Sequence, residues 1–224
     1  MIHLHYFIAR KAGLGDEQFH RYWRETHAPF VKRITQLRGY IQSHRIPFAN
    51  SNSTYDGEAE VWLDDLDAMA ALRKSAEFLN GAYKDEPNFI DHARSDFLIA
   101  RDHVIIDGPR TPGLVKGVWR MRRKDGVSLG EFRRHWIEIH GVVAAKIPGV
   151  RRYVQSHVVD EAYSYAEPRW DGVAQLWWDS ADALAEALKS PQFAEDMRDG
   201  EEFIDGRSLS FFLAQEYQVI APPA

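Results

Sequence analysis

Tyr40, Gln42 and His44, and their second occurrence as Tyr153, Gln155 and His157, set a phenol, an amide and an imidazole at every other position of the chain. Alternation by two places three such side chains on one face of a β-strand. Imidazole ionises near pH 6.5, so a histidine here can take and return a proton at neutral pH, while the phenol and amide orient a bound molecule. The intervening Ile41 and Ser43, or Val154, Ser156 and Val158, make the more apolar face. That face is expected beneath helices, which sends the Tyr/Gln/His face into an interior cavity suited to a flat organic ligand. The competing reading is a buried histidine hydrogen-bonded only for structure.

A companion set follows on the next extended segment. Glu60 and Trp62 share one face, matched by Gln175 and Trp177, while Gly57, Ala59, Val61 and Leu63 form a small apolar face for a helix to cover. Glu60 in the same cavity could orient His44 or act as a base, and burial would raise its pKa. With Gln175 at the matching position, the two half-sites differ. His27 and His140 sit at the rim of an apolar helical stripe and close their helix, where each can reach a cavity mouth or bond a free carbonyl. The expected catalytic set is therefore His44, Glu60 and His157, with Tyr40, Gln42, Trp62, Tyr153, Gln155, Gln175, Trp177, His27 and His140 binding substrate.

Other chemistries find less support. His3 and His5 share a strand face and could hold a metal, but the matching positions are Lys116 and Val118, and no acidic cluster is tied to them by spacing. No metal site is expected. His135 and His140 are five residues apart, about 140° around a regular helix, unlike zinc ligands at i and i+4. Glycine-rich phosphate loops and the Gly-x-Ser-x-Gly elbow are missing from the sequence. With no cysteine, thiol chemistry is excluded. A net charge of -5 with both signs dispersed offers no basic stripe for nucleic acid. No run approaches the roughly 20 apolar residues of a membrane span, and the N-terminus does not read as a signal peptide, so a cytoplasmic protein without nucleic-acid or membrane partners is expected. Whether it forms a homodimer is left open.

The elements that must position these residues are written twice. Phe19, Arg21, Trp23, Glu25 and His27 return 113 positions later as Phe132, Arg134, Trp136, Glu138 and His140. After a two-residue insertion, Asp56, Gly57 and Trp62 match Asp171, Gly172 and Trp177. Ordered identities rich in Trp and His mark a tandem repeat. Each copy alternates by two over residues 2–9, 38–46, 57–64 and about 95–105, with helical spacing over 16–36 and 66–80, Asp16 being able to cap the first helix. The order β-α-β-β-α-β is the ferredoxin-like split unit. A sheet with helices on one face must bury the other, and two such sheets can close an eight-stranded barrel. The expected fold is α+β, two tandem ferredoxin-like units (1–105 and 114–220, linker 106–113) packed sheet to sheet as a pseudo-dimeric α/β barrel.

The runs FHRYWRETHAP, LRGYIQSH and YDGEAEVW, continued by RRYVQSH and WDGVAQLWWD in the second half, resemble the EthD family of dimeric α/β-barrel proteins. That resemblance implies a barrel of two ferredoxin-like units, here fused in one chain. The wider superfamily includes cofactor-free isomerases, polyketide cyclases, decarboxylases and quinone-forming oxygenases, besides heme enzymes, so fold alone leaves the reaction open. The expectation is a cofactor-independent lyase, decarboxylase, isomerase or cyclase acting on a small aromatic or polyketide-like compound. The alternatives are a non-catalytic binding protein for a hydrophobic metabolite and a heme-binding protein. The loops at 47–55 and 160–170 are long enough to be lids.

Overall fold

The computed structural model describes residues 1–223. The first repeat runs β1 (Ile2–Ile8), α1 (Asp16–Tyr22), a π-helical turn (Trp23–His27), α2 (Ala28–Val31), β2 (Gly39–Ile46), β3 (Gly57–Leu63), α3 (Leu66–Leu72), a second π-helical turn (Phe78–Ala82), α4 (Tyr83–Asp85) and β4 (Asp96–Ile106). The second runs β5 (Val115–Met121), α5 (Leu129–His135), a π-helical turn (Trp136–His140), α6 (Gly141–Ala144), β6 (Arg152–Val158), α7 (Asp160–Tyr163), β7 (Gly172–Trp178), α8 (Ala181–Ala187), α9 (Pro191–Phe203) and β8 (Ser210–Ile220). The eight strands form a closed barrel in the order β1-β3-β2-β8-β5-β7-β6-β4.

Two compact units contain these elements, and the fourth strand of each repeat divides between them. One unit comprises residues 1–45, 54–99 and 216–224, the other 46–53 and 100–215. In the first unit β3 is central, antiparallel to β1 from Ile2↔Leu63 to Ile8↔Gly57 and to β2 from Gly39↔Trp62 to His44↔Gly57. In the second, β7 pairs with β5 and β6 in the same registers, β5 continues to β8, and β4 from Ala100 pairs with β6.

Helix starts follow local chemistry. Ser128 and Glu131 form a capping box at α5, Asp65 and Ser180 accept from Ala68 and Ala183 at α3 and α8, and Ser190 caps α9 before Pro191. Asp16 is not a cap. Gly15 occupies that position, and Asp16 stands in the first turn, where a carboxylate suits the positive end of the helix.

Each core is built around a tryptophan from the first helical segment. Phe19, Trp23 and Phe89 form a fully buried ring cluster in the first unit, and Phe132, Trp136 and Phe203 repeat it in the second. Those indoles lie so close to the first residue of β3 or β7 that only glycine fits. A Cβ on Gly57 would stand 2.7 Å from Trp23, and one on Gly172 would stand 2.4 Å from Trp136.

Candidate active site

The π-helical turns decide which way the Tyr/Gln/His triplet faces. In each, bonding from i to i+5 inserts one extra residue into the helix, a distortion often found at functional sites. Trp23 O accepts the N–H of Ala28 and also the side-chain amide of Gln42, at 2.9 Å for the latter; Gln155 donates to Trp136 O at 2.8 Å. The indole N–H of Trp23 donates to the Tyr40 hydroxyl at 2.9 Å, and Trp136 to Tyr153 at 3.3 Å. His44 lies against Trp23, with ring centroids 4.5 Å apart, and His157 lies against Trp136 at 4.3 Å.

The expected orientation is therefore reversed. Tyr40, Gln42, His44, Tyr153, Gln155 and His157 lie beneath the helices, while Ser43 is on the opposite face, donating to Glu60 at 2.9 Å. Apolarity alone was the wrong criterion, because the helix presents an indole N–H and a twice-used carbonyl that demand polar partners below them. Glu60 and His44 consequently do not share a cavity. Burial, with His20 and Arg24 nearby, pushes His44 down to about 2; burial with Arg133 and His103 nearby pushes His157 down to about 3. Both are neutral at pH 7. Each bonds the carbonyl of its glutamine, at 3.1 and 3.2 Å, and thereby holds the amide toward the tyrosine.

A pocket opens between helices and sheet within each unit. The first, about 620 Å³, is lined by Tyr6, Trp23, His27, Tyr40, Val61 and Glu86 among others. The second, about 510 Å³, is lined at matching positions by Trp119, His140, Tyr153 and Leu176, with Trp178 and Asp196. Both tyrosines accept two bonds, from tryptophan and from glutamine (3.3 Å to Tyr40, 2.9 Å to Tyr153), so each keeps its own O–H as a donor. Burial raises the pKa of both despite those bonds, and the phenols stay protonated.

His27 and His140 close the π-helical turns and enter these pockets already oriented by carboxylates. His27 Nδ1 lies 2.9 Å from Asp85 Oδ2, and Asp85 also accepts from Tyr22 at 2.6 Å and Asn88 at 3.0 Å. Burial alone would raise Asp85, but those three bonds hold it below the ordinary carboxylate range. Burial lowers His27 against the pull of Asp85, so its imidazole is neutral at pH 7, with the Nδ1 proton on the Asp85 side and Nε2 as the basic nitrogen. In the second unit His140 Nδ1 lies 2.8 Å from Asp199 Oδ2, and His135 Nε2 lies 3.1 Å from Asp199 Oδ1. A regular helix would turn those histidines about 140° apart; the π-helical turn lets both reach one carboxylate.

Each pocket also contains one carboxyl whose pKa burial raises. Burial and the neighbouring charge of Asp85 push Glu86 up to about 8. Burial pushes Asp196 up to about 6, with His140 opposing and Asp199 assisting, and Asp196 Oδ1 lies 3.2 Å from His140 Nε2. These acids occupy different positions in the repeat: Glu86 corresponds to Gly200, and Asp196 to Ala82. Asp85, Asp199, Glu86 and Asp196 were missed from sequence. The Asp85/Asp199 pair does recur at an offset of 114, next to the matching Phe-Ile-Asp runs, and was the available signal.

Glu60 and Trp62 lie on the other face of β3, where Trp62 stacks on His3 at 3.9 Å. Gln175 and Trp177 hold the corresponding register positions on β7, both fully buried. The loop at 47–55 is tied down, Asn52 bonding both Phe211 N and Leu209 O, so it is not a free lid. In the other long loop Trp170 is buried under Arg120, and of its aromatic side chains Tyr165 alone stands out in solvent.

A closed eight-stranded barrel built from two βαββαβ repeats is a dimeric-barrel-like fold. The EthD domain model matches residues 11–93 and again 124–207, and the chain belongs to the EthD family. No curated protein matches it. Its fold is also similar to that of a candidate monooxygenase from Fusobacterium nucleatum (10% identity over 96% of this chain and 91% of that one, TM-score 0.65). The same holds for an anthrone oxidase-like protein (12% identity, 100% and 94% covered, TM-score 0.62) and a heme-binding protein from Thermus thermophilus (14% identity, 97% and 91% covered, TM-score 0.54). At such identities the likeness concerns the fold.

Proposed function

We propose that the protein is a cofactor-independent enzyme of the lyase, isomerase or cyclase type that moves protons on a small aromatic or polyketide-like ketone or keto acid, bound in the pocket between helices and sheet. One observation carries this reading. In each repeat a carboxylate-held histidine and a phenol with an unused O–H line the same pocket. The phenol, held by tryptophan and glutamine, polarises the substrate carbonyl, and the imidazole removes a proton from the adjacent carbon. The proton goes to Nε2, and the resulting imidazolium is stabilised by Asp85 or Asp199. Glu86, protonated near neutrality, can return a proton to the product in the first repeat. Gln42 and His44, with Gln155 and His157, are positioning residues for the phenols in this scheme. The substrate-contact role first expected of Trp62, Gln175 and Trp177 finds no support in the geometry of the pockets.

The test is hydrogen–deuterium exchange at carbons next to a carbonyl. A panel of aryl ketones and 1,3-dicarbonyl acids is incubated with protein in D2O and followed by NMR. Exchange above background for at least one class, lost in His27→Ala/His140→Ala protein, supports the proposal. Binding without any exchange would replace it by a sequestering role, and neither binding nor exchange would discard it.

A further inference from the structure

On the face of the first repeat's sheet that lies away from its pocket, four donor side chains meet that the proposed chemistry does not use. Strand register sets His3 opposite Trp62, His5 opposite Glu60 and Phe7 opposite Glu58, so His3, His5, Glu58 and Glu60 share one face of two neighbouring strands. All four are buried, at 1% exposure or less. His5 Nδ1 lies 2.6 Å from Glu58 Oε1, His3 Nε2 lies 3.6 Å from Glu60 Oε2, and the two imidazole centroids are 3.7 Å apart.

We propose that this face of β1 and β3 binds one divalent transition-metal ion through His5, Glu58 and Glu60, with His3 beside them. One donor atom from each of His5, Glu58 and Glu60 lies within 4.8 Å of the others. Ligands about 2.1 Å from an ion stand at most about 4.2 Å apart, so modest side-chain rotation closes the set. The second observation is independent of the acidic residues: His5 is fully buried, yet its Nε2 has no hydrogen-bond partner. A buried imidazole nitrogen left unused is costly unless something occupies it. Two imidazoles with two carboxylates suit zinc, manganese or ferrous iron better than magnesium or calcium.

The second repeat gives the contrast. Lys116, Val118, Val173 and Gln175 replace His3, His5, Glu58 and Glu60, so only the first repeat has a ligand set. There the fully buried Lys116 ammonium lies 5.6 Å from the Trp177 ring centroid, where His3 stacks on Trp62 in the first repeat.

The measurement is metal content. Protein is unfolded with chelator, refolded with or without Zn(II), passed through gel filtration and analysed for zinc; Co(II) loading is followed by its visible absorption. The expected result is one ion retained per chain, a higher Tm, and cobalt bands shifted by imidazole ligation. His5→Gln and Glu60→Gln, each checked for folding by circular dichroism, should weaken zinc binding about tenfold or more. Anomalous diffraction at the zinc edge from the wild-type protein decides the matter even if neither variant folds. A peak between β1 and β3 supports the site. No retained zinc, unchanged zinc in both folded variants, or a peak elsewhere overturns it.

Discussion

His27 Nδ1 lies 2.9 Å from Asp85 Oδ2, and the repeat reproduces the bond at 2.8 Å between His140 and Asp199. In the first repeat the carboxylate fixes the tautomer and leaves Nε2 to accept a proton, whereas in the second Nε2 lies 3.2 Å from Asp196. Replacing His27 with Ala in a His140→Ala background should lower the exchange rate about 10² to 10⁴-fold. Asp85→Asn in the same background should reduce kcat with little change in KM. Steady-state kinetics on the compound found by exchange checks both, and an unchanged kcat would remove His27 from the mechanism.

Tyr40→Phe deletes the acceptor used by Trp23 and Gln42 as well as the free O–H. Leaving those buried donors unpaired should cost about 1 to 3 kcal/mol of stability. Denaturant unfolding measures that loss. Calorimetry should show, in parallel, weaker binding of ketones than of the matching hydrocarbons, because only the ketone uses the hydroxyl.

Acid should destabilise the fold through His44 and His157. Their folded values, about 2 and about 3, lie below the unfolded value of about 6.5, so the unfolded chain binds more protons between these limits. Stability is then full above about pH 6.5 and falls as pH drops toward 3, by at most about 1.4 kcal/mol per pH unit for each histidine. Urea unfolding from pH 7 to 4 measures the slope, and His44→Gln should flatten it by up to half.

Glu86, pushed up to about 8, is protonated at neutral pH and loses its proton on the alkaline side. If it returns the proton to product in the first repeat, the rate of His140→Ala protein should decline above pH 8. Glu86→Gln in that background should lower the plateau and abolish the decline. A decline that persists with Gln assigns it to another group.

The repeat, the βαββαβ order and the barrel could be read from ordered Trp, His and Gly identities, because duplicated rare residues report duplicated environments. The pairing of Glu60 with Trp62 on one strand face was legible for the same reason, through alternation. The direction of the Tyr/Gln/His face was not. It depends on the π-helical turns at Trp23–His27 and Trp136–His140, whose first carbonyls accept Gln42 and Gln155 as second donors, and helical periodicity at 100° per residue cannot show them. Likewise Glu58 and Glu60 meet His3 and His5 only through the β1–β3 register, a pairing across more than 50 residues.

The proposed ligand site lies on the helix-covered side of the sheet. A crystal structure of the protein saturated with a hydroxylated acetophenone should place the carbonyl within hydrogen-bonding distance of the Tyr40 or Tyr153 hydroxyl, with the adjacent carbon facing His27 or His140. A ligand seated instead against Glu60 and Trp62, on the opposite face of β3, would contradict it.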